Sequence, residues 1–312
     1  MKENVSPTSA AWTNARKPGL LLAGLAAAGF AAMSVHVGML AAGAPFPLPQ
    51  PPLWARWLNE AFIAGGLLIF LRLANPSLGH RGFIFRTLIA CLVMAAIQET
   101  LRVAIMSGVV TGGWAYSAIG LIKPLIRVVI VALACTLAVR WVRGPFGLLG
   151  AALAVAAVSA AARKLLAYVI DPFLGQFAWL SRPDLYAFPY PFHVTFAAYL
   201  SFAEAVAGAF LLTLLVWSHL PQSRLLRLLA AGFLVALIKG VVGNTLLYSS
   251  FTGSSVVEGV LSWSQFLLEF FTLGCLVALA WDAFGGEREL SPTARPTRAG
   301  SNGENMANRE GP

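Results

Sequence analysis

Residues 83–106 read FIFRTLIACLVMAAIQETLRVAIM, and this stretch decides the fold. Apolar side chains fill nearly every position from Phe83 to Ile97 with no alternation. The run would reach about 36 Å as a helix at 1.5 Å per residue, enough to cross a hydrocarbon core of about 30 Å. No soluble helix needs an apolar surface on every side. Yet the same stretch carries Gln98, Glu99 and Arg102 in its second half. Charges at such depth cost about 2.5–3.5 kcal/mol each on insertion scales, so they need partners or water.

The rest of the chain repeats the pattern. In its 312 residues charged side chains make up 11% and apolar ones 58%, and the mean hydropathy is +0.74. Soluble domains carry about 25% charged residues, so a water-soluble fold is excluded. Eight segments have the length and composition of a crossing: 19–43, 53–74, 83–106, 117–142, 146–170, 191–218, 225–249 and 257–283. The expectation is an all-α, polytopic transmembrane bundle of eight helices. It comprises an N-terminal segment 1–18, a membrane domain 19–284 and a disordered tail 285–312. The first run is too long for a signal-peptide core of about 7–15 residues and reads as a retained anchor.

A formal net charge of +9 raises the question of nucleic acid, but most bases flank apolar spans rather than forming a patch. They concentrate on one side, at Lys2, Arg16, Lys17, Arg72, Arg81, Arg86, Arg140, Arg143, Arg224, Arg227 and the tail arginines. The other side carries Arg56 and Arg182 together with Trp54, Trp57, Trp114, Trp179, Tyr186, Tyr190 and Tyr248. The first is called the basic side below and the second the aromatic side. Positive-inside then places both termini in the cytoplasm of a cell whose plasma (inner) membrane holds the chain. The bilayer is the first partner, and a protein partner on the basic loops and tail is a further expectation. Cys91, Cys135 and Cys275 lie within apolar runs and read as buried thiols, not disulfides or metal ligands.

The two halves of the chain align. Glu60-Ala matches Glu204-Ala, Arg86 stands as far before Ile97 as Arg227 before Ile238, and Cys135–Trp141 has the spacing of Cys275–Trp281. The pattern is compatible with two parallel four-helix repeats, 19–142 and 146–284, related by an axis along the membrane normal. Within the second repeat, the connection 171–191 between the fifth and sixth helices is longer than its counterpart, and reads as a segment in the aromatic-side interface.

The candidate site comes from depth. Glu60, Glu99, Arg127, Glu204, Lys239 and Glu269 each lie about 12–13 residues from the basic-side anchor of their own helix, roughly 18–20 Å up. Arg102, Lys123, Arg163, Lys164 and His36 form a second tier nearer the aromatic side, with Ser201, Asn244 and Gln265. Glu99 and Arg102 are i,i+3, and Lys123 and Arg127 are i,i+4, so each pair projects to one side. Glu258, Ser262, Gln265 and Glu269 form a polar stripe on one face of the last helix. The alternative for Arg163 and Lys164 is to reach outward to the interface.

The ligand- or ion-binding set is therefore Glu60, Glu99, Arg102, Lys123, Arg127, Glu204, Lys239 and Glu269, supported by His36, His193, Asn244 and Gln265. No cofactor or metal is implied, because no motif supplies the ligands. No catalytic constellation emerges: Gln98 stands where intramembrane glutamic proteases need a second glutamate. The expected function is an integral membrane protein with a charged cavity open to the extracytoplasmic side, binding or transporting a small polar, anionic or amphiphilic solute. The alternatives are a non-catalytic sensor or assembly partner, and a membrane enzyme acting on a lipid-linked substrate.

Overall fold

The computed structural model describes residues 17–47, 50–79, 81–186, 189–253 and 255–285. Among these the chain is helical with no strand. Seven helices have the length and hydropathy of a crossing: α1 (Pro18–Ala41), α2 (Leu53–Leu78), α3 (Phe83–Thr111), α4 (Trp114–Trp141), α5 (Pro145–Gly175), α6 (Phe192–His219) and α8 (Val256–Gly285). The eighth, α7, is a bent pair, Arg224–Lys239 and Val241–Phe251, turned through 72° at its break. The protein is a polytopic membrane helical bundle. Residues 286–312, where the disordered tail was expected, lie outside the described residues, as do Lys2 and Arg16.

Local chemistry sets the helix ends. Pro18 and Pro145 open α1 and α5, where a missing N–H costs nothing. Ser255 caps α8 by accepting from the Glu258 N–H, and Glu258 returns to the Ser255 N–H, a capping box. Glu258 thus serves its own helix start, while Ser262, Gln265 and Glu269 further along the stripe are buried. Helix α2 runs on through Pro76, and α5 runs through Pro172 to Gly175. Asp171, assigned by the sequence to the connection after the fifth span, is therefore helical. The α5–α6 connection folds back onto the end of α3, where the Leu185 N–H donates to the Val110 carbonyl at 2.9 Å.

Packing follows the small residues. Helices α7 and α8 approach closely: a Cβ on Gly274 would meet the Gly232 Cα at 2.7 Å and the Ala231 carbonyl oxygen at 2.9 Å. Between apolar helices in lipid, such backbone approach supplies the dispersion contact that burial from water supplies elsewhere. Each packing in one half of the chain has a counterpart in the other. Helix α3 packs on α4 as α7 does on α8, α4 on α5 as α8 does on α1, and α2 on α5 as α6 does on α1. Helix α3 packs on α6 as α7 does on α2, and α2 on α4 as α6 does on α8.

Two breaks occupy matching places. Helix α3 is interrupted after Ile97 and resumes at Thr100, with Glu99 left-handed at φ 57°. Helix α7 is interrupted after Lys239, with Gly240 left-handed at φ 85°. Ile97 and Ile238 are the aligned residues, so the breaks fall at the same register. Gly240 suits this conformation, and a Cβ there would also meet Ile63 at 2.8 Å. Glu99 does not suit it: among the described residues it is the one non-glycine with positive φ, a state costing an L-residue about 1–2 kcal/mol. A strained conformation persists only where its surroundings over-determine it.

Candidate functional site

The surroundings of Glu99 do over-determine it. Breaking a helix frees N–H groups after the break and carbonyls before it, and none can be left bare in lipid. At the α3 break the Glu204 carboxylate, from α6, accepts the Leu101 N–H at 3.0 Å and the Arg102 N–H at 2.6 Å. The Thr100 hydroxyl donates to the Ala95 carbonyl at 3.0 Å. At the α7 break the freed carbonyls of Ile238 and Lys239 accept from Gln98 Nε2 at 2.5 and 3.2 Å. Lys239 Nζ donates back to the Gln98 carbonyl at 3.5 Å. Gln98 and Lys239 occupy aligned positions, so the two broken helices hold each other reciprocally.

The Glu99 carboxylate is the ionic centre of this crossing. Arg102 donates to Oε1 and Lys239 to Oε2. The bases are cushioned by rings: the Arg102 guanidinium lies 5.1 Å from the Phe202 centroid, and Lys239 Nζ lies 4.3 Å from that of Phe270. Arg102 Nη2 also contacts Met33 Sδ at 3.2 Å. Helix α8 brings Glu269, 1% exposed, and α1 brings His36, whose Nδ1 lies 3.9 Å from Glu269 Oε2. Beyond normal hydrogen-bond range, that pair leaves both ends open. Among the described residues Glu269 Oε1, His36 Nδ1, Ser262 Oγ and Gln265 Oε1 are buried without a hydrogen-bond partner. Gln265 Nε2 is engaged, donating to the carbonyls of Pro45 and Ser262.

A second cluster forms between α2, α4 and α5. Glu60 accepts from Arg127 Nη2 at 2.8 and 2.9 Å, from Ser159 Oγ at 2.9 Å and from Arg163. Glu60, Arg127, Arg163 and Lys123 line a cleft of about 360 Å³. Lys123 pairs with Asp171.

The sequence expectation of one shared layer is thus resolved into two assemblies. The structure brings together Glu99, Arg102 and Lys239, with Glu204, Glu269 and His36 around them. It brings Glu60 and Arg127 together elsewhere, with Lys123 at their edge. Arg163, for which outward reach was the alternative, turns onto Glu60. Glu60 and Glu204, aligned in sequence, do different work: one is an ion-pair acceptor and the other a cap for backbone N–H groups. His193 is exposed and meets Tyr186 edge to face with centroids 4.9 Å apart, in neither cluster. Asn244 is half-buried on the short helix after the α7 break, its Oδ1 without a partner among the described residues.

Sequence reasoning missed Gln98, Ser159, Asp171, Phe202 and Phe270. Only Gln98 left a signal, since it is polar and aligned with Lys239. Set against known proteins, the chain matches no family model, and no curated protein or solved structure resembles it significantly.

Proposed function

We propose that the protein is a multi-pass carrier of the plasma (inner) membrane, with both termini cytoplasmic, that binds a small polar or anionic solute at the crossing of α3 and α7. One observation carries the reading. Two helices broken at matching positions meet near Glu99, beside buried polar atoms on α8 and α1 that have no partner. Discontinuous helices at corresponding places in two halves are the general mark of a transporter's binding site. Glu269 Oε1, Ser262 Oγ, Gln265 Oε1 and His36 Nδ1 are the groups free to meet a solute. Arg102 and Lys239, already gathered by Glu99, would answer its negative charge.

The matched packing of the halves supports a parallel four-helix duplication. Rocking of one half against the other about the α3–α7 contact would then open the site to each face in turn. The uncommon breaks serve this motion, because a helix interrupted over one or two residues bends there without disrupting the turns on either side.

The test uses single cysteines in a chain freed of Cys91, Cys135 and Cys275. Ser262→Cys and Leu273→Cys place buried thiols on α8 on either side of Glu269. In vesicles, an impermeant thiol reagent added on the aromatic side is expected to modify residue 262, and added on the basic side residue 273. Absence of reaction at both positions from both faces would describe a static plug and sink the carrier reading.

A further inference from the structure

The second cluster carries its own inference, which does not depend on transport at the α3–α7 crossing. Lys123, Arg127 and Arg163 line the 360 Å³ cleft with Glu60, and Lys123 is bound to Asp171. Three bases against those two carboxylates leave one positive charge in the cleft. On the other side of Glu60, a recess of about 350 Å³ adds Arg56 and Lys164 and is walled by Trp54 and Trp57.

The donors are not all used. Arg127 reaches Glu60 through Nη2 while its Nε is buried without a partner among the described residues. The Arg163 side chain is 44% exposed and that of Lys123 34%. Glu60 does the gathering: it holds two guanidinium groups from different helices side by side, their remaining N–H groups available.

Depth selects the kind of anion. Glu60 lies seven residues inside Leu53, the first residue of α2, so about 10 Å below that end of the helix. Trp54 and Trp57 mark the interface there. On α5 the residues just beyond Arg163 and Lys164 present apolar surface outward, with Leu165 62%, Tyr168 82% and Val169 55% exposed. A basic cleft about two helical turns inside the end of α2, beside an apolar face turned to lipid, fits an amphiphile better than a solute from water.

We propose that the cleft between α2, α4 and α5 binds the phosphodiester of an anionic bilayer lipid. Arg163, Arg127 and Lys123 donate to its oxygens, and its acyl chains lie along the exposed face of α5. The single excess charge matches a monoanionic phosphodiester, and Glu60 disfavours a second negative charge.

The experiment uses the full chain, delipidated in mild detergent, and phosphatidylglycerol with a fluorophore on its acyl chain. Phosphatidylcholine labelled alike is the comparison, and glycerol 3-phosphate the water-soluble competitor. Phosphatidylglycerol is expected to bind at least about tenfold more tightly than phosphatidylcholine. Arg163→Gln or Lys123→Gln should each remove about tenfold of that affinity without changing phosphatidylcholine binding, the effect of one lost charge-assisted contact. Arg81→Gln, on the basic side, should leave the preference intact. Arg163→Lys keeps the charge and should retain most of it, and it decides the matter should a Gln variant fail to fold. Equal affinity for the two lipids would overturn the proposal, as would Gln variants binding like the parent. Displacement by millimolar glycerol 3-phosphate would make the ligand a soluble phosphoester and overturn the lipid assignment.

Discussion

Replacing Glu99 with Gln removes one negative charge and almost no volume, so the consequence is electrostatic. In the parent, Arg102 and Lys239 share that carboxylate, and their side chains are only 15% and 14% exposed. Neither has another carboxylate within 4 Å among the described residues. Glu204 is occupied with backbone N–H groups, and the ion-pair contact of Glu269 is to His36. The Gln variant leaves two cations facing one another across a neutral amide, with little water to screen them. Breaking a buried pair in this way costs about 3–5 kcal/mol. Adding Lys239→Gln to Glu99→Gln removes one of the stranded charges, so the double variant should be more stable than the sum of the singles implies. The coupling expected for groups in one network is about 1–3 kcal/mol. Reversible unfolding in mixed micelles of mild and denaturing detergent, followed by far-UV circular dichroism, measures all four corners of the cycle. A single-variant cost below about 1 kcal/mol with additive effects would mean that Glu99 is not the electrostatic centre of the crossing.

Two further outcomes follow from the same contacts. Glu204→Ala strips the cap from the second half of α3 and should cost about 1–2 kcal/mol in that unfolding assay, whereas Glu204→Gln keeps one acceptor and should cost less; equal, negligible effects would remove the capping role. Gly274→Ala inserts a methyl group where α8 meets the backbone of α7 at Gly232, and should lower stability by about 1–3 kcal/mol; an unchanged midpoint would mean that the two helices are not in backbone contact.

How much of the site was legible depended on how local its cause was. Arg102 pairs with Glu99 one helical turn away, and their i,i+3 spacing announces it. The burial of Ser262, Gln265 and Glu269 is equally local, since a polar stripe on a lipid-embedded helix turns inward. Depth along each helix grouped the acids and bases by height, but height says nothing about azimuth. Glu60 and Glu99 stand at similar depth and join different assemblies, because neighbouring helices decide which face meets which. Asp171 was hidden for another reason. Proline after it reads as a helix stop, yet α5 continues through Pro172 and delivers the carboxylate to Lys123.

The sequence by itself determined that this chain spans the membrane and roughly where each helix crosses. Lipid permits few ways to satisfy a backbone, and an unbroken apolar run declares one of them. It also determined which side chains are too costly to leave unpartnered. The tertiary structure alone decided that α3 and α7 are broken at aligned residues, with Glu99 held left-handed by contacts from α6 and α7. It alone separated one nominal layer into a central crossing and a basic cleft. Partner choice among buried charges is a matter of a few ångströms between elements far apart in the chain, and no local pattern encodes that distance.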